Sequence, residues 1–269
     1  MGRHLRRALA SVAVLLALLE AVTVGAVVTR ANAAPVWTPP PSSASGDASP
    51  LLAAGRAPRI APPTIGSQDP RTLLVRVNRA LPVTSRAGDG SVVGTMPAAS
   101  RFYGEPHVAW VQEVSPDGRF GLVPVPYVAG DRSGWMRLRG LETARTAVSV
   151  EADLSTHRLT VLHGDEIVFS APIATGAPGS PTPVGHYFVT DRVAFPAGGV
   201  FGTLAFGISG IQPNLPAGWS GGDQLAIHGT NDASSIGRSA SAGCLRVSER
   251  ILDRLRPLLR LGTPVTIQG

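Results

Sequence analysis

The sequence predicts a mainly β fold with one helix near the C-terminus. From residue 72 onward, short apolar runs alternate with turns rich in Gly, Asp and Pro, as at 87–90 and 115–118. This alternation is typical of short strands in antiparallel sheets. The exception is 249–259, where apolar residues recur at helical spacing after Ser248, a favourable helix N-cap. We therefore expect β-sheets throughout and a single late helix.

The N-terminus has the pattern of an export signal. Arg3, Arg6 and Arg7 precede an almost wholly apolar run over 8–28, and Ala-Asn-Ala at 31–33 fits a small-x-small cleavage site. An apolar run of about 20 residues is also long enough to span a bilayer. Residues 1–33 are therefore predicted to be a signal peptide or an uncleaved membrane anchor. Either alternative places the protein at the cell wall or on the outer face of the cytoplasmic membrane.

Two further segments precede the C-terminal half. Residues 34–70 are rich in Pro, Ala and Ser and contain few large apolar side chains, so we expect a linker. Residues 71–145 hold short β-type runs, tight turns and a late Gly-Trp step at 134–135, and resemble a bacterial SH3-like small β-barrel. Such a module either binds cell-wall peptide or glycan, or serves as a spacer and packing partner. The expected strands are 73–77, 91–94, 108–111, 120–125 and 134–138.

Residues 146–269 contain a second series of short runs. Alternating segments separated by turns describe an antiparallel meander. Together with the helix after Ser248, they predict a β-sandwich domain. The expected strands are 147–153, 159–162, 166–170, 186–190, 201–208, 225–227 and 264–267.

Composition narrows the function classes. The formal net charge is +6, and all 24 basic residues are arginine. This charge suits an anionic cell-wall or membrane surface, although codon bias is an equal explanation. The arginines are scattered rather than clustered, which argues against a nucleic-acid partner. A single cysteine excludes an internal disulfide and a cysteine-rich metal site. No metal-ligand motif or glycine-rich phosphate loop is present, so we expect no metal and no cofactor.

The stretch 224–247 carries the candidate chemistry. It holds Cys244, the only cysteine, and His228 sixteen positions earlier. A thiol becomes a strong nucleophile as its thiolate, and a nearby imidazole commonly removes the proton. The apolar run 225–227 predicts a strand that ends at His228, and the loop that follows returns Cys244 to a position before the helix. The N–H groups of Gly243 and Cys244 are predicted to form an oxyanion hole.

These residues resemble a known active-site signature. His-Gly-Thr-Asn at 228–231 and Ser-x-Gly-Cys-Leu-Arg at 241–246 are similar to the motif of the L,D-transpeptidases, the YkuD family. The resemblance runs from about residue 146 to the C-terminus and includes Ser-Pro-Thr-Pro-Val-Gly at 180–185. One position departs, because the family often has His where this chain has Ala242. Family members with a small residue there exist, so we do not interpret Ala242 as inactivating.

The resemblance implies a fold, an activity and a set of roles. Cys244 would be the nucleophile, His228 the base, the Gly229 carbonyl the group that orients the imidazole, and Gly243 an oxyanion donor. The implied substrate is a peptidoglycan stem peptide, cut after its third residue and joined to a neighbouring stem, and carbapenems are implied as covalent inhibitors. The candidate substrate-binding residues are Ser241, Arg246, Thr230, Pro183 and Gly185.

Two other functions fit the same sequence. If water replaces the amine acceptor, the enzyme is an L,D-carboxypeptidase. If the β-module carries the function, the protein is a non-catalytic cell-wall-binding protein, and Cys244 is then a small buried hydrophobic residue. Product analysis with and without an amine acceptor distinguishes the carboxypeptidase from the transpeptidase. Cell-wall binding that survives loss of Cys244 would indicate the non-catalytic binding protein.

Overall fold

The computed structural model describes residues 72–269. The predicted signal or anchor and the predicted linker, residues 1–70, lie outside the described residues. Between residues 72 and 269, no helix combines the length and the hydrophobicity that crossing a membrane requires.

Residues 72–146, called the β-module below, form two small antiparallel sheets. In the first sheet, β1 lies between two strands, and Leu74 is paired with Trp110 on one side and Ala144 on the other. The order of the two sheets is β4-β1-β8 and β3-β2-β7-β6-β5. The strands are β1 (Thr72–Arg76), β2 (Leu81–Thr84), β3 (Val92–Met96), β4 (Val108–Val111), β5 (Glu113–Val114), β6 (Phe120–Pro124), β7 (Ser133–Arg137) and β8 (Glu142–Thr146).

Residues 147–269, called the C-terminal region below, are built on one eight-stranded sheet with the order β11-β10-β9-β18-β13-β14-β15-β17. The short strands β12 and β16 form a separate parallel pair. The elements are β9 (Val148–Asp153), β10 (Arg158–His163), β11 (Glu166–Pro172), β12 (Thr175–Gly176), β13 (Gly185–Ala194), β14 (Leu204–Ile211), β15 (Gln224–His228), a 3-10 turn (Ala233–Ser235), β16 (Ser239–Ser241), β17 (Leu245–Arg246), α1 (Glu249–Leu255) and β18 (Pro264–Gln268).

One hydrophobic core holds the C-terminal region together. Strand β10 shows how the sequence builds it, because Leu159 and Val161 are fully buried while their neighbours are at least partly exposed. Period-two burial of this kind follows from the alternation of side chains along a strand. Helix α1 adds Leu252 and Leu255 to the same core. The core therefore anchors the edge of the sheet where β15 and β17 lie.

The two regions share strand β13. Tyr187 and Val189 point into the core of the C-terminal region, whereas Phe188 between them packs in the core of the β-module. The ring of His107 meets Phe188 edge-on, with 5.8 Å between centroids. Burying a phenylalanine side chain contributes about 1.5–3 kcal/mol. The β-module is thus attached to the C-terminal region through a hydrophobic contact and not only through the chain connection.

The mainly β prediction with one late α-helix is confirmed. The helix ends at Leu255 instead of 259, because Pro257 has no N–H to donate to the carbonyl four residues earlier. Leu259 nevertheless packs in the core, as its apolar spacing predicted. No apolar pattern predicted β8, because Glu142–Thr146 is mostly polar. The SH3-like assignment of the β-module stays a prediction.

Candidate active site

Strand pairing brings Cys244 and His228 to the same face of the sheet. Strands β15 and β17 pair in parallel, with Ile227 opposite Leu245 and His228 opposite Arg246. Ile227 and Leu245 point into the hydrophobic core. Because side chains alternate along a strand, His228, Arg246 and Cys244 project from the opposite face. Cys244 is therefore a diagonal neighbour of His228, two register positions before the pair that His228 makes with Arg246.

Cys244 lines a cavity of about 200 Å³. The residue is half-buried, and its Sγ lies 4.0 Å from the Gln224 carbonyl oxygen. Burial raises the pKa of the thiol to about 11, while a hydrogen bond from the Ala226 backbone and the positive charge of Arg246 act in the opposite direction. Desolvation penalises the charged form of a thiol, so the resting group is a neutral thiol at physiological pH.

His228 is held as a neutral base. It is 3% exposed, and its Nδ1 bonds the Gly229 carbonyl. A carbonyl only accepts, so Nδ1 carries the proton and Nε2 keeps the lone pair. Burial lowers the pKa of His228 to about 4; the Gly229 bond raises it and the charge of Arg246 lowers it further. The geometry is the one expected for Gly229 as the group that orients the imidazole.

An aromatic ring covers the imidazole. Phe201 meets His228 in an edge-on arrangement with 5.2 Å between ring centroids, and Phe201 itself lines the cavity. Within residues 72–269, no hydrogen bond joins the Cys244 thiol to His228, and the thiol faces Gln224. The resting thiol is therefore not hydrogen-bonded to the imidazole.

The turn before Cys244 is closed by Ser241. The Ser241 hydroxyl donates to the Cys244 carbonyl at 2.6 Å and accepts the Gly243 N–H at 3.0 Å. Gly243 has φ +119°, a region that side chains other than glycine rarely adopt. Ser241 therefore holds the turn that precedes Cys244. The Gly243 N–H, expected to be an oxyanion donor, already has an acceptor in this state.

The segment 180–185 acts on that turn through a residue that sequence reasoning missed. Thr182 donates to the Gly243 carbonyl at 2.8 Å and accepts the Gly176 N–H at 2.8 Å. The two predicted residues of this segment lie elsewhere. The Pro183 carbonyl accepts the Tyr187 hydroxyl, and Gly185 packs against the β-module. The Ser-Pro-Thr-Pro-Val-Gly motif at 180–185 contains Thr182, but only its contacts with Gly176 and Gly243 show its role.

The remaining predicted residues do not line the cavity. Arg246 is half-buried, and its main chain bonds that of Ala174 in both directions. Within residues 72–269, its buried Nε has no hydrogen-bond partner. Thr230 accepts the Asp232 N–H at 3.0 Å in a local turn. Arg246 acts on the site through its charge, which lowers the pKa values of both Cys244 and His228.

Aromatic and apolar side chains make the cavity walls. Most come from the C-terminal region, but two come from the β-module. Scattered aromatic residues in loops carry no sequence signal for a shared cavity, so sequence reasoning did not find them. The large apolar lining residues are Phe102, Tyr103, Phe195, Phe201, Leu215 and Trp219. In the described part of the chain, no group of three or more His, Cys, Asp or Glu residues could hold a metal ion.

The C-terminal region is similar to proteins of a known family. Residues 147–267 match the YkuD family, the L,D-transpeptidase catalytic domain. The match confirms the family resemblance for the C-terminal region. A Bacillus subtilis protein that bears the family name L,D-transpeptidase YkuD is 29% identical over 118 residues, and its Bacillus licheniformis counterpart is 31% identical over 118 residues. Each alignment covers 44% of this chain and 64% of the relative.

Solved structures show a more distant likeness. One is L,D-transpeptidase 3 from Mycobacterium tuberculosis in complex with a faropenem-derived adduct, with 16% identity and a TM-score of 0.39. The similarity covers 61% of this chain and 92% of that one.

Proposed function

We propose that this protein is a peptidoglycan L,D-transpeptidase that forms cross-links through a thioacyl intermediate on Cys244. The observation that carries the proposal is the shared sheet face of Cys244 and His228 beside a cavity, inside the segment that matches the family. A nucleophile, a base with a free lone pair and an enclosed space for an acyl group are the minimum parts of cysteine acyl transfer.

The first half-reaction uses the neutral pair. The Cys244 thiol turns toward His228, and its proton moves to Nε2 as sulfur attacks the carbonyl carbon of the donor stem. The tetrahedral intermediate collapses when the C–N bond breaks, and the leaving amine takes the proton from the imidazolium. The product is a thioester on Cys244 and a neutral His228.

The second half-reaction transfers the acyl group to an amine. His228 accepts the proton of the attacking amine, the new C–N bond forms, and the thiolate leaves and is reprotonated by the imidazolium. Stabilisation of the oxyanion falls to backbone donors near Cys244, where one donor contributes about 3 kcal/mol. The Gly243 N–H joins them when the Ser241 hydroxyl releases it. In the carboxypeptidase alternative, water replaces the amine in this step.

The setting of the reaction is part of the same proposal. Export through residues 1–33 and a linker over 34–70 would place the C-terminal region next to the cell wall, its substrate. The β-module would act there as an SH3-like unit. Carbapenem β-lactams would acylate Cys244 because they present a strained carbonyl to the same thiol. The sequence pattern of residues 1–145 supports this setting, and the family match over 147–267 supports the carbapenem reaction.

Intact-mass spectrometry of the full chain tests the proposal. After incubation with a carbapenem, we expect one drug-sized adduct on the wild type and none on Cys244→Ala. With a tetrapeptide stem and an amine acceptor, we expect a cross-linked product that requires both Cys244 and His228. Free tripeptide alone would favour the carboxypeptidase. If neither an acyl adduct nor a product forms, and Cys244→Ala still binds the cell wall, the protein is a binding protein and not an enzyme.

A further inference from the structure

A loop of the β-module forms one wall of the Cys244 cavity. Phe102 and Tyr103 lie between β3 and β4, and both line the cavity together with Cys244. Phe102 is 46% exposed, although it is a large apolar side chain, and Trp219 across the cavity is 43% exposed. Exposed aromatic side chains at the mouth of a cavity are available to contact a bound molecule. The cavity is thus incomplete without the β-module.

An ion pair fixes this loop to the opposite wall. Arg101 Nη2 lies 2.5 Å from Asp223 Oδ1. The Arg101 guanidinium carbon also lies 4.6 Å from the ring centroid of Phe102, so the same side chain orients the aromatic ring. Asp223 directly precedes Gln224, the first residue of β15. The pair is partly exposed, so it contributes little to stability and mainly sets geometry.

A buried hydrogen-bond path runs beside the ion pair. Ser100 donates to Asp191, which is fully buried, and Asp191 accepts the Gln224 side-chain amide at 2.9 Å. The backbone carbonyl of Gln224 is the group that faces the Cys244 sulfur. Buried polar groups with complete hydrogen bonding hold a unique arrangement. The β-module therefore reaches, through Asp191, the strand end that faces the nucleophile.

We propose that the segment 100–103 of the β-module is a positioning and specificity element of the active site. Ser100 and Arg101 hold the start of β15 and the loop before it, and Phe102 with Tyr103 offers an apolar wall to the acyl donor. The segment takes no part in bond making. Its loss should reduce reaction with bulky acyl donors and spare small reagents that need only the thiol. The part concerning peptide donors rests on the function proposed above.

A charge exchange on the full chain tests the ion pair. Arg101→Glu and Asp223→Arg each place like charges together, whereas the double variant restores an opposite pair. We expect each single variant to lower the second-order rate constant for carbapenem acylation by about fivefold, and the double variant to recover most of it. Alkylation of Cys244 by iodoacetamide should change by less than about twofold. Arg119→Glu is the matched control, because Arg119 pairs with Asp117 at 2.5 Å in another turn of the same module.

Phe102→Ala tests the wall itself. This side chain is half-exposed, so the variant should keep the melting temperature of the wild type, and acylation should fall about threefold to tenfold. The proposal is overturned if Phe102→Ala lowers the rates of iodoacetamide alkylation and carbapenem acylation equally, or if it lowers neither rate. If the wild type is alkylated but never acylated, the proposed function fails separately. In that case N-phenylmaleimide, a bulky thiol reagent, tests the role of Phe102. Phe102→Ala must then slow the labelling of Cys244 by N-phenylmaleimide more than its labelling by iodoacetamide.

Discussion

The rate at which a carbapenem acylates Cys244 should be nearly independent of pH down to about pH 5. Burial lowers the pKa of His228 to about 4, so the imidazole is still about nine-tenths neutral at pH 5. An imidazole with the ordinary pKa of about 6.5 would be about 3% neutral there. The two cases differ by about thirtyfold in the fraction of competent base. We therefore expect the carbapenem acylation rate at pH 5 to stay close to its value at pH 7.

The assay is a stopped-flow or quenched measurement of the second-order acylation rate from pH 4 to 9. His228→Gln should lower the rate by about 10²–10⁴-fold and remove the acidic limb. The Cys244 pKa of about 11 predicts no inflection in the rate between pH 7 and 9. An inflection near pH 6.5, or a rise near pH 8.5 as for a free thiol, would refute the assignment of a buried neutral pair.

Folding must be checked at the same pH values, because the same shift affects stability. The folded-state pKa values of His228 and His107 are both lowered to about 4 by burial, below the unfolded value. The unfolded state therefore binds protons first. Stability is fully present above pH 6.5 and is lost as the pH falls toward 4, by about 2 kcal/mol for each histidine at pH 5. Tryptophan fluorescence at each pH separates loss of folding from loss of the base.

Two further predictions concern packing and the turn before Cys244. Phe188→Ala should lower the free energy of unfolding by about 3–5 kcal/mol in urea denaturation, since it empties a site in the β-module core, whereas exposed Val168→Ala should change it by less than about 0.5 kcal/mol. Equal effects would contradict the shared-strand description. Thr182→Val leaves the Gly176 N–H and the Gly243 carbonyl unpaired and should cost about 1–3 kcal/mol and slow acylation. Thr182→Ser keeps the hydroxyl and should retain the wild-type rate, and a slow Ser variant would argue against the hydrogen bonds.

Most of the longer strands and the candidate pair were predictable because their signals are local. Apolar runs between turns gave β10 (Arg158–His163) and β15 (Gln224–His228) nearly to the residue. The single cysteine in a small-residue loop identified Cys244, and the motif supplied His228. The helix α1 was predicted to reach residue 259 because the apolar pattern continues beyond Pro257. It ends at Leu255 because Pro257 cannot donate the next backbone hydrogen bond.

The sequence by itself determined the β class, the late helix and the candidate nucleophile, since each depends on residue types at short spacing. Only the tertiary structure decided the state of the pair, because the pKa values depend on burial and on Arg246 across the strand pair. Only it showed that the Ser241 hydroxyl accepts the Gly243 N–H and that Phe102 reaches the cavity from a loop of the β-module. Such contacts join residues far apart in the chain, and no local pattern encodes which side chains will meet.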